Sequence, residues 1–112
     1  MLRIEHASVE ATADNLWFLE RYLNVFDFAD LFPADALSSE GRRGVPVTLK
    51  TDLGFEIVSD IDGSKMQLRN RSKHRGWERW TREHGLRVGD RIILQRVGER
   101  EYTPSLERGN IE

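Results

Sequence analysis

The sequence predicts a mixed, mainly-β domain whose strands form an antiparallel or barrel-like sheet. Three observations carry this expectation. Short apolar runs alternate with turn signals at Thr51-Asp52-Leu53, Gly89-Asp90 and Gly98-Glu99, the pattern of a sheet built from hairpins. Helical periodicity is confined to short segments and no βαβ spacing occurs, so a doubly wound sheet is not expected. The chain has 112 residues, which suffices for one core and not for two.

Residues 12–24 (TADNLWFLERYLN) read as a helix that Thr12 or Asp14 can cap, with Leu16, Leu19, Tyr22 and Leu23 at helical spacing. Phe26, Phe28 and Leu31-Phe32 then lead into Pro33 as an extended segment or a helix tail. Residues 38–44 (SSEGRRG) form a loop with adjacent arginines between glycines. Residues 45–50 and 54–61 read as strands flanking a turn. The stretch 62–76 is polar and basic, with a short strand at Met66, Gln67 and Leu68. Residues 77–84 read as a short helix ended by Gly85 in the left-handed region. Residues 91–97 and 100–106 make a closing hairpin.

Composition limits the function. The chain is 38% hydrophobic and carries ten aromatics, so its stability comes from packing; with no cysteine it has no disulfide and no thiolate chemistry. No apolar run reaches the ~18 residues of a membrane span, and no basic-then-apolar leader opens the chain. A cytoplasmic, nucleoid-associated protein is the expectation. The net charge of −2 conceals an asymmetry: residues 1–40 carry two basic and eight acidic groups, and residues 41–112 fifteen basic and eleven acidic. The imbalance peaks over residues 63–82, where Lys65, Arg69, Arg71, Lys73, Arg75, Arg79 and Arg82 face only Glu78. A charge run is often just a solvated face. A basic patch inside an acidic protein is more pointed, because it attracts nucleic acid where the average charge repels it. Fourteen of the seventeen basic residues are Arg, which suits forked bonds to phosphate or guanine.

Catalytic patterns are weak. Asp60-x-Asp62-Gly63-Ser64 opens like a calcium loop, but the twelfth position is Arg71 instead of Glu. His6, His74 and His84 lack metal-ligand spacing, although His74 sits among arginines where it could touch phosphate. No Lys follows an acidic residue by two positions as the common nuclease pattern requires, and no nucleophile elbow or phosphate-cradling glycine loop occurs. No catalysis, cofactor or metal is expected.

The strongest signal is residues 76–94, GWERWTREHGLRVGDRIIL. Trp77 and Trp80 share one helix face and Arg79 and Arg82 another, with Leu86 and Val88 entering the core and Gly89-Asp90 turning into a strand. The tryptophans read as core, not as base-stacking platforms. This segment resembles the C-terminal half of the plant B-three DNA-binding domain: Gly76, Trp77, Trp80, Leu86, Gly89, Asp90, Ile92 and Leu94 fill that pattern at its spacing. Phe32-Pro33 and the strands that follow are similar to the domain's opening. The details are closer to bacterial relatives that serve as DNA-recognition domains of some restriction endonucleases. The resemblance covers roughly residues 28–106, which bounds a domain at 28–108 with a helical extension (1–27) and a tail (109–112).

The resemblance implies a seven-stranded open pseudobarrel with two short flanking helices, here plus an N-terminal helix. It also implies a sequence-specific grip on the major groove of double-stranded DNA through two loops. The N-arm falls on residues 38–44, offering Ser38, Ser39, Arg42 and Arg43. The C-arm falls on residues 63–75, offering Lys65, Gln67, Arg69, Asn70, Arg71, Lys73, His74 and Arg75. The arginines and lysines would neutralise phosphates or fork to guanine, while Gln67 and Asn70 suit adenine. The plant pattern has an Asn-Ser-Ser segment after a Trp in the C-arm; Asn70-Arg71-Ser72 here has no such Trp. Leu86-x-x-Gly-Asp-x-Ile also resembles the swapped-hairpin transition-state regulators and antitoxins, but Phe32-Pro33 lies too far upstream for that unit. A protein-interaction or regulatory module on the same barrel is the alternative function.

Overall fold

A computed structural model describes residues 5–69 and 76–109. Along the chain lie β1 (His6–Glu10), α1 (Leu16–Leu19), 3₁₀ turns at Phe26–Leu31 and Ala34–Ala36, β2 (Val47–Lys50), β3 (Glu56–Ser59), β4 (Ile61–Asp62), β5 (Gln67–Leu68), α2 (Gly76–His84), β6 (Arg91–Arg96) and β7 (Glu101–Glu107). The architecture is mainly β: a mixed five-stranded sheet ordered β1-β6-β7-β2-β3, and a separate β4-β5 pair. Among the described strands only β2 and β7 pair in parallel, at Thr48↔Glu101 and Leu49↔Tyr102. The sheet is open, with β1 and β3 at its edges.

The alternation read in the closing hairpin has its physical counterpart in β6, where Ile92, Leu94 and Arg96 turn inward. Arg96 is buried because its guanidinium is used locally: Nε donates to the Gly98 carbonyl at 3.1 Å and a terminal nitrogen to the Glu99 carbonyl at 2.7 Å, which ties the β6–β7 turn. Pro104 is tolerated in β7 because it lies beyond the two residues that pair with β2, where the missing N–H breaks no described ladder.

Helix α2 packs on β3 through Gly76, whose added Cβ would stand 2.8 Å from Ile57 Cγ1. Trp77 and Trp80 are buried and stack at 5.4 Å between centroids. Each indole N–H has a partner: Trp77 donates to the Leu19 carbonyl at 2.9 Å and Trp80 to Asp52 Oδ1 at 2.8 Å. His84 packs on Trp80 and reaches the same carboxylate at 3.0 Å. Gly85 closes the helix at φ +64°, a conformation other residues rarely adopt. Across the core, the Tyr102 hydroxyl donates to the Leu31 carbonyl at 2.8 Å while its ring leans on Phe32.

The N-terminal reading is corrected in two places. The helix expected over 12–24 shrinks to α1 and one further turn. Neither Thr12 nor Asp14 is the cap: α1 starts after Asn15, which exchanges bonds with Thr12 in the preceding turn (2.7 and 3.2 Å), and beyond Tyr22 the backbone pairs elsewhere. Leu68 N–H donates to the Leu23 carbonyl and Val25 N–H to the Met66 carbonyl, so sheet-like bonds displace the helical ones. Within the expected N-terminal helical segment, His6–Glu10 instead form β1, which pairs with β6 from His6↔Gln95 to Glu10↔Arg91. The expected strand 54–61 divides at Asp60 into β3 and β4, since that carboxylate turns inward to its own partners. Residues 110–112 of the expected tail lie outside the described residues; Gly109 is docked, its N–H on Asp90.

Asp90 explains the Gly89-Asp90 turn. Its buried carboxylate accepts from the Arg87 and Gly109 amides at 3.1 Å and from Arg108 at 2.7 Å. Burial pushes its pKa up, but the Gly109 and Arg87 amides and the Arg108 guanidinium outweigh that and hold it below the ordinary value.

Two predictions arise from this packing. Trp80→Ala should lower unfolding free energy by about 3–5 kcal/mol, the cost of truncating a buried aromatic; denaturant titration measures it. The depressed Asp90 pKa stabilises the fold above the ordinary carboxylate pKa of about 3.9, and that contribution disappears as pH falls through the depressed value. Asp90→Asn should therefore flatten the acid limb of the stability curve, read from denaturant midpoints across pH.

Candidate nucleic-acid interface

Two loops that are distant in sequence stand side by side. The first, residues 38–44, is a tight turn: Ser39 and Arg42 exchange both backbone hydrogen bonds at 2.9–3.0 Å, with Glu40-Gly41 at the tip and Gly41 at φ +73°. Arg42 and Arg43 project from it, exposed. The second loop opens at the β4–β5 turn. There Asp62 Oδ1 accepts from the Ser64 amide (2.9 Å), the Ser64 hydroxyl (2.8 Å) and the Lys65 amide (3.3 Å). The Ser64 hydroxyl bond is foremost in lowering the Asp62 pKa. This turn leaves Lys65 exposed, and Met66 crosses to positive φ while its side chain packs against the core.

The bases of both loops converge on one polar node. Asp60 and Arg69 lie 2.8 Å apart, Oδ1 to Nε, as an ion pair instead of an aligned hydrogen bond. The other Asp60 oxygen accepts from the Gly44 amide at 2.9 Å, at the far end of the first loop. Ser38 Oγ, at its near end, accepts from Arg69 at 2.7 Å and from the Gly63 amide at 3.1 Å. Asp62 adds a longer contact to Arg69 at 3.7 Å. Backbone bonds continue the join, from Ser38 N–H to the Ile61 carbonyl and from Arg69 N–H to the Asp60 carbonyl. Glycine is required at two points here: a Cβ on Gly44 would stand 2.0 Å from the Ala36 carbonyl oxygen, and one on Gly63 2.0 Å from that of Ser38.

This arrangement redistributes the expected site residues. Ser39, Arg42, Arg43 and Lys65 are exposed, and among the described residues no ion pair engages Arg42, Arg43 or Lys65. Gln67 lies half-buried on β5, opposite Asp62 and bridged to Asn24. Ser38 and Arg69 are not free contact groups, because both are spent on the node; Arg69 is only 17% exposed. Asn70, Arg71, Lys73, His74 and Arg75 lie outside the described residues. Arg79 and Arg82, part of the basic run, are engaged on α2: Arg79 lies 4.2 Å over Phe55 and pairs with Glu83, while Arg82 pairs with Glu78. Sequence reasoning missed Asp60 as a brace. Its signal was the Asp60-x-Asp62-Gly63-Ser64 motif, whose carboxylates grip a guanidinium where a calcium loop would grip a metal. Among the described residues no three His, Asp or Glu side chains converge as a metal would need.

Elsewhere a cavity of about 360 Å³ opens between β1, α1 and the first 3₁₀ turn. Phe18, Tyr22 and Phe28 line it together with the carboxylates of Glu10 and Asp27. Trp17 and Phe26 are strongly exposed in the same stretch of chain, and Arg21 covers the Trp17 ring at 4.3 Å. Carboxylates at its rim make this cleft unfavourable for phosphate.

No family model matches the chain, and no curated protein does. A solved structure of a hypothetical protein from Arabidopsis thaliana does, with a TM-score of 0.60 over 96% of this chain and 93% of that one at 16% identity. The fold is shared. At that identity the likeness speaks to the backbone arrangement alone.

If the node holds the first loop, Gly44→Ala should cost stability, because its Cβ has backbone and no flexible side chain in its way. Gly41→Ala meets no neighbour and should cost only its backbone strain, about 1 kcal/mol. A comparison of their thermal midpoints checks the order.

Proposed function

We propose that this domain binds double-stranded DNA with sequence preference, laying the loops at residues 38–44 and 63–75 against the major groove, and performs no catalysis of its own. The seven strands would then belong to an open pseudobarrel of the B-three type, and the domain would serve as a regulator or as the recognition module of a restriction endonuclease. One observation carries this reading. Arg42, Arg43 and Lys65 project, without ion-pair partners among the described residues, from two loops that a shared node holds together.

The chemistry fits a phosphate backbone. Arg42 and Arg43 supply guanidiniums that match phosphate oxygens, and Lys65 a point charge one loop away. Base reading falls to the second loop, where Gln67 and Asn70 have the amide pair that suits adenine and Arg71 and Arg75 can fork to guanine. Arg69, expected to read bases, is reassigned to support. The cleft that holds Glu10 and Asp27 would point away from the duplex or be repelled from it.

The acidic aromatic cleft favours a second reading, an interaction module for a partner that presents cations. Salt dependence separates the two. Binding of fluorescent random-sequence duplex should weaken steeply with salt, and Arg42→Ala or Lys65→Ala should each reduce the slope of log K against log salt by about one. Absence of duplex binding at low salt would remove the DNA reading and leave the interaction module.

A further inference from the structure

We propose that Arg69 is a positioning residue that holds the two loops at a fixed separation, so that they meet a duplex as one preorganised unit. The inference rests on the DNA-binding reading and deepens it. Its basis is that one guanidinium touches three groups at both loop bases: Asp60, which in turn holds the Gly44 amide; Ser38, which in turn holds the Gly63 amide; and Asp62, which orders the Ser64-Lys65 turn. Both ends of the first loop and the start of the second therefore meet at one side chain, beside the backbone bond from Ser38 N–H to the Ile61 carbonyl. Residues 38–44 carry no large apolar side chain with which to order themselves, so polar contacts at the node must do it.

The charge balance points the same way. Arg69 faces two carboxylates at the node, so its positive charge is already answered and contributes little to attracting phosphate. A fork is required, because Ser38 and Asp60 are reached by different nitrogens of one plane. Lysine would keep the charge and lose the fork. The two roles thus separate by experiment: a phosphate contact survives Arg69→Lys largely intact, and a positioning fork does not.

The test measures duplex affinity across salt for the native protein, Arg69→Lys and Ser38→Ala, with amide hydrogen exchange on the same proteins. Ser38→Ala removes the shared acceptor at small cost in volume and carries the test if Arg69→Lys fails to fold cooperatively. We expect each variant to lose about tenfold in affinity through lost preorganisation, with the salt slope unchanged. We also expect faster exchange at the Gly44 amide, which has no bond to Ser38 or Arg69 and so reports transmission through the node. Unchanged affinity overturns the proposal. Near-native affinity and unchanged Gly44 exchange in Arg69→Lys overturn it too, and would make Arg69 a phosphate contact, which the lysine charge sustains. If the native protein binds no duplex, the DNA reading fails by itself, and unchanged Gly44 exchange would then sink the brace independently.

Discussion

The ion pair between Asp60 and Arg69 is the constraint on which the rest of the candidate interface depends. Bringing two charges out of water is costly, and such a pair is rarely a net source of stability. What this one provides is arrangement. Asp60 is 7% exposed, and its two oxygens face different elements, one towards Arg69 and one towards the Gly44 amide. Loss of either partner would leave a buried charge with an incomplete shell, so the loops cannot drift apart without a penalty. Close backbone packing at Gly44 and Gly63 brings the segments near enough for the short side chains of Ser38 and Asp60 to span them.

The hydrophobic core does a different task. Trp77 and Trp80 secure α2 to β3 and to the α1 turn, with every indole N–H satisfied. Their burial removes them as stacking surfaces. The arginines of α2 are likewise held, over Phe55 or against Glu78 and Glu83, so the exposed helix face is close to neutral. Unanswered positive charge among the described residues of the basic run is left at Lys65, alongside Arg42 and Arg43 from the neighbouring loop. The cleft between β1 and α1 differs in chemistry, lined by aromatic rings and acidic residues.

Much of this was legible in the sequence where local chemistry decides the outcome. Gly85 ends α2, Gly89-Asp90 turns into β6, and the two tryptophans are core, each for a reason visible within a few residues. The failures share a cause: partners distant in sequence. The 12–24 helix has good periodicity, yet Leu23 and Val25 give their backbone groups to a hairpin more than forty residues away. β1 has only Ala7 and Val9 as inward positions, a faint alternation that pairing with β6 completes. Arg69 read as one more cation of a basic run, because nothing local marks the approach of Ser38 from 31 positions upstream. The segments that form the loops were found, and Ser39, Arg42, Arg43 and Lys65 do face outward; that Ser38 and Arg69 turn to the node was not legible.

Backbone amide shifts on titration with a short duplex selected from a random pool test the central claim most directly. The account predicts that the largest perturbations fall on residues 39–43 and on Ser64 and Lys65, while residues 17–28 around the acidic cleft stay unmoved. Perturbations centred on the cleft, with the two loops silent, would contradict it.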